Sequence, residues 1–534
     1  MVILKLSNGK VISNVQSNKT ILEILVENKI YINNPCNGKG TCGKCRIKIL
    51  SGRVSKLTDT EKKFLSNEEI SDGIRLSCMT KIIDDVEIDI VEKEKEVEVL
   101  SESFIREFRK DDFLGAYGVA IDIGTTTVVV ELVDLSNGKQ ITNSAKVNPQ
   151  KLYGLDVLTR ITYENEKGED GIVTLKNVLI ECINDLINDI CNRIHLSRSK
   201  ILKVVVSANC TMMHTFLGID ARSIGVYPYK PKFLDAKILN AAELGLTVGN
   251  ECVCVCLPHV SSFIGADIVS GIYTCDIKNL KGNILFIDIG TNAEIVLKAG
   301  EKLISCSCAA GPALEGMNIS KGMRAEIGAI EDVTIEKDGV KVKTIGDTKP
   351  IGLCGSGILS VIKELLKNGI IKKNGAIIKP EEISGDNIHR DRIRIVDKKK
   401  EYIICKDENI SITQSDIRQV QLAKGAILSG FVALLNECKI DMSSLDKVLV
   451  AGQFGAHLPA ESIVGVGILP FEVKDKIEYV GNVSKTGAYI TMMCKDAIKD
   501  LKELAKEVKY VELADTMEYE KIFVKSMEFP NYQN

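Results

Sequence analysis

Two patterns of apolar and polar positions divide the chain. Within residues 1–93 the patterned segments are short: "VILKLSNGKVISNV" alternates on both sides of an Asn-Gly turn and predicts a β-hairpin, and "CRIKILSG" predicts another strand. Between them, Ile21, Ile24, Leu25 and Ile30 recur at helical spacing. These elements predict a small domain that combines strands with a helix.

Longer apolar strands follow, and two of them end in the same motif. "AIDIGTTTVVVELV" begins at Ala120 and "FIDIGTNAEIVLKA" begins at Phe286. Each is an apolar strand, an Asp, a Gly turn with hydroxyl or amide side chains, and a second apolar strand, so each predicts a β-hairpin. The copies align at three positions: Asp122 with Asp288, Gly124 with Gly290, and Thr125 with Thr291.

The chemistry of this repeated turn points to phosphate. Glycine lets the backbone approach closely, and turn N–H groups and hydroxyls donate to phosphate oxygens. A carboxylate repels phosphate, so each Asp is expected to hold Mg²⁺ or one of its waters. The residues expected to contact phosphates are Thr125, Thr126, Thr127, Thr291 and Asn292, with Gly124 and Gly290 in the turns.

Three further segments carry small residues at distinctive places. "SSFIGADIVSGIYT" (261–274) and "GNVSKTGAYITMM" (481–493) predict helices whose small faces allow close crossing. "KVLVAGQFGAHL" predicts a buried strand that runs into a turn suited to a nucleoside, lined by Gly452, Gln453 and Gly455. "CGSG" at 354–357 starts a helix, and Gly355 and Gly357 either bring N–H groups to phosphate or ribose or simply begin that helix.

Between the two patterned regions, "VEKEKEVEVLSESFIREFRKDD" is dense in charge and predicts a linker or a solvated helix. Such a tether would let the first domain reorient, or serve as a plain spacer. The predicted divisions are a first domain, a charged linker and two subdomains, at residues 1–93, 94–115, 116–283 and 284–534.

Composition narrows the class of protein. A net charge of −3 gives no reason to expect nucleic acid as a partner. No run of about 18 apolar residues predicts a membrane span, and the N-terminus lacks the features of a signal peptide. We therefore expect a cytoplasmic protein, in which most of the 17 cysteines pack as small hydrophobic side chains.

One cysteine group departs from that expectation. Its spacing is Cys36-x5-Cys42-x2-Cys45 in a glycine-rich loop, followed by Cys78 in "IRLSCMT". A redox pair would need a helix after Cys45, zinc usually takes two short-spaced pairs, and a cytosolic disulfide is disfavoured. A 2Fe–2S cluster takes three ligands from one loop and a fourth from a distant strand, so we interpret these four as its ligands. The spacing resembles that of ferredoxins, with one extra residue in the first gap.

The order of hairpin, helix, hairpin, nucleoside turn and helix resembles the superfamily of acetate and sugar kinases, heat-shock ATPases and actin. Joined to a ferredoxin domain, it is similar to the reductive activators of corrinoid proteins. "SANCTMMHTFLGI", "AGPALEGMNISKGM" and "GLCGSGILSVI" also resemble that family's loops. The fold class that this implies is α/β and α+β multidomain, with a β-grasp ferredoxin-like domain before a two-subdomain actin-like ATPase.

The resemblance also implies a function. Such a protein binds ATP between its subdomains and passes one electron to Co(II) of a corrinoid protein, restoring the Co(I) needed for methyl transfer. It implies a low-potential donor such as ferredoxin or flavodoxin, and it allows for a homodimer. Asp122 and Asp288 are the expected Mg²⁺ residues; Asp267 either orients the attacking water or is an ordinary surface residue of its helix.

Three other functions stay open at this point. A sugar or carboxylate kinase with an appended ferredoxin would phosphorylate a substrate. An activator of another low-potential metalloenzyme, such as a radical dehydratase, would share the ATPase. Activators of radical dehydratases hold one cluster between two subunits and lack a ferredoxin domain, so the cysteines from Cys36 to Cys78 argue against that case. A plain electron carrier would use the ATPase fold only for docking, which the intact Asp122 and Asp288 argue against.

Overall fold

The computed structural model describes a first domain, part of the linker and most of the remaining chain. The described residues are 2–28, 30, 32, 34, 38–40, 42–91, 104–108, 110, 116–336, 339–383, 389–396, 399–452, 455 and 458–532. No helix in these ranges combines the length and apolar character that crossing a membrane requires.

The first domain is a mixed sheet with three short helices. Helix α1 begins at a capping box in which Thr20 and Glu23 each bind the other's backbone N–H. The sheet order is β2-β1-β5-β3-β4, with β1 and β5 parallel and the other neighbours antiparallel. The elements are β1 Val2–Leu6, β2 Val11–Val15, α1 Ile21–Glu27, β3 Arg46–Ser51, α2 Asp59–Phe64, α3 Asn67–Ser71, β4 Ile74–Leu76 and β5 Val86–Ile90.

A six-stranded sheet forms the next region. The first predicted hairpin is β6 and β7, and the sheet order is β10-β11-β9-β6-β7-β8. The elements are β6 Tyr117–Ile123, β7 Thr127–Asp134, β8 Lys139–Val147, α4 Val157–Lys167, α5 Glu169–Arg193, β9 Ile201–Ala208, α6 Cys210–Leu217, β10 Lys237–Asn240, β11 Val253–Cys256 and α7 Ala266–Thr274.

A second six-stranded sheet repeats that arrangement. The second predicted hairpin is β12 and β13, and the order is β22-β21-β12-β13-β14-β23. Its elements and the helices beside it are β12 Asn283–Ile289, β13 Ala293–Ala299, β14 Lys302–Cys308, α8 Gly355–Lys367, α9 Gln414–Cys438, β21 Leu445–Ala451, α10 Ala460–Val466, β22 Ile477–Gly481, α11 Val483–Met493, α12 Ala497–Glu507, β23 Lys509–Tyr510 and α13 Tyr519–Ser526. In both sheets the predicted hairpin pairs with a parallel strand on one side and with a third, antiparallel strand on the other. The sequence predicts the repeated hairpin but not these two added strands.

Two small sheets complete the C-terminal region, one antiparallel and one in which β15 pairs antiparallel with β16 and parallel with β17. One sheet has the order β16-β15-β17 and the other β18-β19-β20. Their strands are β15 Ala329–Glu336, β16 Gly339–Thr344, β17 Gly352–Leu353, β18 Ile393–Val396, β19 Lys399–Cys405 and β20 Ile410–Thr413.

Helices α7 and α11 cross closely between the two large sheets. A Cβ on Gly487 would lie 2.9 Å from Ser270 Cα, and one on Gly271 would lie 2.6 Å from the Phe286 ring. Larger residues would force the helices apart, so the small faces predicted from sequence set this crossing. Although α11 follows β22 of the second sheet, it packs on β6 and β9 of the first.

Part of the predicted linker is anchored on these helices. Phe104 donates its N–H to the Val480 carbonyl at 3.1 Å. The Arg106 guanidinium lies 4.2 Å from the centre of the Tyr273 ring and 3.2 Å from an Asp276 carboxylate oxygen. Residues 104–108 are therefore docked near the crossing of α7 and α11, whereas 92–103 lie outside the described residues.

Candidate functional site

The cysteine loop is held by the register of two strands. β3 starts directly after Cys45, and its pairing with β4 sets Arg46 opposite Leu76. The Ser77 N–H then donates to the Cys45 carbonyl at 2.9 Å. As a result the sulfur atoms of Cys45 and Cys78 lie 3.3 Å apart, and both residues are buried.

The loop before Cys45 requires glycine. Gly40 and Gly43 have φ values of +70° and +65°, which favour glycine. A Cβ on Gly43 would lie 2.8 Å from the Phe64 ring. The loop is therefore pressed against α2.

The donor set fits an iron–sulfur cluster. The hydrogen bond between the Cys45 and Cys78 thiols is the main reason that the pKa of Cys45 is lowered to about 6, which favours the thiolate that iron binds. Cys42 is half-buried. The fourth predicted ligand, Cys36, lies outside the described residues.

The two hairpins place their predicted carboxylates at the ends of β6 and β12. Gly124 donates to the Thr127 carbonyl and Gly290 to the Asn292 carbonyl, each at 2.9 Å, so each turn is closed by one backbone hydrogen bond. Asp122 and Asp288 each lie two residues before the glycine and are half-buried.

Four carboxylates share the space between the hairpins. Burial, and then Asp288 and Asp122, raise the pKa of Asp267 to about 7. Burial and the Asp122 charge raise the pKa of Asp288 to about 7 as well. The fourth is Glu294, which pairs directly across the β12–β13 ladder from Asp288 and whose pKa burial raises well above its usual range. Among described residues no salt bridge joins Asp267, Asp288 or Glu294 to a cation, so no ion pair offsets their mutual repulsion. The described residues do not gather three or more of these side chains closely enough to hold one metal ion.

Asp267 is thus not an isolated surface residue. It lies half-buried in the first turn of α7, where the charges of Asp288 and Asp122 contribute to its raised pKa. A Cβ on Gly265 would lie 2.6 Å from the Asp267 carboxylate oxygen, so the glycine before α7 makes room for the Asp267 side chain.

Asp122 is oriented by the start of α11. Asn482 donates its amide to one carboxylate oxygen at 2.8 Å, and the Ser484 hydroxyl donates to the other at 2.7 Å. Behind Ser484, buried hydroxyls continue through Ser207 at 3.0 Å to Ser270 on α7 at 3.1 Å. Burial raises the pKa of Asp122, and the hydrogen bonds from Ser484 and Asn482 partly oppose that rise.

The threonines of the two turns are in different environments. Asn209 donates to the Thr125 hydroxyl at 3.0 Å, which leaves that hydroxyl hydrogen directed elsewhere. The Thr291 hydroxyl instead donates to Glu315 at 2.8 Å. Thr126 and Asn292 complete the turns, and Asn292 is exposed.

The remaining predicted glycines have packing reasons for their identity. Gly452 has φ +90°, and a Cβ there would lie 2.5 Å from an Asp288 carboxylate oxygen, so this turn adjoins the carboxylate group. A Cβ on Gly357 would collide with the Ile330 carbonyl, and Gly355 is buried at the same helix start. Gly455 packs on Val450, and Gln453 lies outside the described residues.

Sequence reasoning missed three of these features. Glu294, Asn482 and Ser484 all lie inside quoted motifs, but they were not singled out. Hairpin register could have indicated Glu294, because a residue directly opposite Asp288 shares its face of the sheet. An Asn before a helix is a recognisable cap, but its bond to Asp122, 360 positions away, has no local signal.

Fold and site define a class: a ferredoxin-type iron–sulfur domain followed by an ATPase of the acetate and sugar kinase, heat-shock and actin superfamily. Residues 5–82 match the "2Fe-2S iron-sulfur cluster binding domain" family. Residues 117–280 match "RACo middle region", and residues 282–534 match "C-terminal domain of RACo the ASKHA domain". The chain belongs to the RACo family, and the predicted fold class is confirmed.

Two relatives and one solved structure agree with this assignment. The "Corrinoid activation enzyme RamQ" of Eubacterium limosum is 31% identical over 77% of this chain and 70% of its own. The "[Co(II) methylated amine-specific corrinoid protein] reductase" of Methanosarcina barkeri is 28% identical over 73% of each. A solved structure, "Reductive activator for corrinoid,iron-sulfur protein", aligns over 99% of both chains with 29% identity and a TM-score of 0.69.

Proposed function

We propose that this protein is an ATP-dependent reductive activator of a corrinoid protein, which returns Co(II) to Co(I) for methyl transfer. The names of its relatives support the corrinoid protein as the acceptor. The observation that carries the proposal is the presence, in one chain, of a buried cysteine loop and a carboxylate-lined cleft between two repeated hairpins.

The cluster ligands in this proposal are Cys36, Cys42, Cys45 and Cys78. When bound, a 2Fe–2S cluster supplies a one-electron donor. The protein's part is to present thiolates and to keep water away. The burial of Cys45 and Cys78 and the tight glycine turns support both roles.

The nucleotide residues in the proposal lie around the cleft. Asp122 and Asp288 hold Mg²⁺ or its waters, and Asp267 orients the attacking water. The turns 124–127 and 290–292 bind phosphates, while Gly452, Gln453 and Gly455 line the nucleoside. The raised pKa values of Asp267 and Asp288 support a bound cation, because a cation would relieve the repulsion that raises them.

Nucleotide chemistry is needed because the electron moves uphill. A potential gap of about 100 mV corresponds to roughly 2.3 kcal/mol for one electron. ATP binding or hydrolysis covers such a gap if it changes the acceptor's conformation. The anchoring of residues 104–108 beside α7 and α11 supports a mechanical link between cleft and cluster domain.

Other participants belong to the proposal as well. A low-potential donor such as ferredoxin or flavodoxin would recharge the cluster. A homodimer is compatible with the proposal and is not required by it.

Anaerobic spectroscopy tests the proposal. Co(II) corrinoid protein and a reductant are mixed with this protein, with and without MgATP, and Co(I) is followed by its absorbance. We expect Co(I) to accumulate only when protein and MgATP are both present. Phosphorylation of a sugar or carboxylate, with no effect of the corrinoid protein on turnover, would establish the kinase alternative.

A further inference from the structure

A buried arginine stands behind the first phosphate turn. Arg160 lies on α4, in "VLTRITYENEK", and only 1% of it is exposed. Its guanidinium donates to the Thr125 carbonyl at 2.5 Å, the Gly154 carbonyl at 2.9 Å and the Gln150 side-chain oxygen at 3.0 Å. Every one of these acceptors is neutral.

The positive charge of Arg160 therefore lacks a direct partner in the described part of the chain. Asp156, whose charge acts on Arg160 without a direct contact, caps α4 and accepts from the Thr159 N–H at 2.7 Å and its hydroxyl at 2.9 Å. Burial lowers the pKa of Arg160 to about 9, which still leaves it protonated at neutral pH. A buried, unpaired charge is costly unless an anion compensates it.

The neighbouring carbonyls of this turn also accept hydrogen bonds, from Asn148. Asn148 donates its side-chain amide to the Gly124 carbonyl at 2.9 Å and its N–H to the Thr126 carbonyl at 2.8 Å. With Arg160 on Thr125, three successive carbonyls of the turn are held by two buried side chains and one backbone N–H.

Peptide geometry then fixes where the N–H groups point. In a trans peptide the N–H is directed opposite to the carbonyl of the preceding residue. The N–H groups of Thr125 and Thr126 consequently face away from Asn148 and Arg160. Within the described ranges neither donates to a protein acceptor, so both are available to a ligand.

We infer that Arg160 is a positioning residue for nucleotide phosphate: it orients the Thr125–Thr126 peptide and sets an unpaired positive charge directly behind it. A donor on the carbonyl also polarises the peptide and strengthens its N–H as a donor. The bound phosphate is the anion that compensates the arginine. This inference rests on the proposed function, because it needs the turn to bind nucleotide.

The test compares MgATP with adenosine, which has the same nucleoside and no phosphate. Binding is measured by calorimetry on the full-length holoprotein, in the wild type and in Arg160→Met. The matched control is Arg193→Met, an arginine on α5 whose side chain is 50% exposed. We expect Arg160→Met to weaken MgATP at least tenfold and adenosine less than twofold, and Arg193→Met to change neither.

A second variant tests the same inference if Arg160→Met does not fold. Gln150→Glu would put a carboxylate beside the guanidinium and cancel its charge while keeping the arginine, although it loses the 3.0 Å hydrogen bond to the Leu175 carbonyl. We expect at least a threefold loss of MgATP affinity with adenosine unchanged. Unaltered MgATP-to-adenosine ratios in either folded variant would overturn the inference, whereas a wild type that binds no MgATP would overturn the proposed function.

Discussion

Removing one negative charge from the cleft should stabilise the apoprotein. In Asp267→Asn the amide keeps the shape of the side chain but cannot ionise. The pKa of Asp267 is raised to about 7, against about 3.9 for an unfolded Asp. The folded state therefore disfavours the ionised form, and the wild type loses stability as pH rises from about 4 through 7.

The size of the effect follows from the same shift. Three pKa units correspond to about 4 kcal/mol once the group is fully ionised. Asp267 is half-buried and water reaches it, so we expect about half of that, roughly 2 kcal/mol, at pH 8. Below pH 4 the two proteins should be equally stable, because Asp267 is then protonated in both states.

Urea denaturation of the metal-free protein measures this difference, followed by tyrosine fluorescence because the chain has no Trp. Asp185→Asn is the control, since that side chain is 65% exposed and lies on α5. With MgATP added, the wild type should become more stable than Asp267→Asn, because the bound cation stabilises the ionised Asp267 of the wild type. A variant that is less stable than the wild type at pH 8 without metal would refute the electrostatic account of the cleft.

Three further predictions follow from the geometry. Gly487→Ala should lower the free energy of unfolding by about 1–3 kcal/mol in chemical denaturation, because its new Cβ would collide with Ser270. Gly339→Ala is the control and should be nearly neutral, because no atom lies within 4 Å of the new Cβ. Equal effects of the two substitutions would contradict the close crossing of α7 and α11. Cys78→Ala should lose the visible spectrum and the two iron and two sulfide of the wild type while still binding MgATP, and a wild-type spectrum would exclude Cys78 as a ligand. Glu294→Gln should shift the pH profile of ATP turnover while leaving the cluster spectrum unchanged. A profile identical to that of the wild type would show that Glu294 does not influence the titration of the other cleft carboxylates.

Much of the fold was predictable because its signals are local. Each hairpin carries its apolar strands, its Asp and its Gly turn within fourteen consecutive residues. Because the motif around Asp122 recurs around Asp288, each copy supports the prediction of the other hairpin. The small faces of α7 and α11 were predictable in the same way, since close crossing demands Gly487 and Gly271 at those positions.

What the sequence did not reveal depends on distant parts of the chain. Asn482 reaches Asp122 only because α11 returns from the second sheet to pack on the first. Arg160 looks like an ordinary polar position in an amphipathic helix until α4 folds beneath the turn at Thr125. The linker's charge suggested a tether or a plain spacer, and the docking of Arg106 depends on Asp276, which lies 170 residues later in the chain.

The most direct test of the central claim is the rate of Co(I) formation in Asp288→Ala. Wild type and variant are matched for cluster content by their visible spectra, then mixed anaerobically with reductant, MgATP and Co(II) corrinoid protein. Coupling between the cleft and the iron–sulfur domain predicts that the variant keeps its cluster spectrum but loses both ATP turnover and Co(I) formation. Co(I) formation at the wild-type rate in a variant without ATP turnover would contradict that coupling.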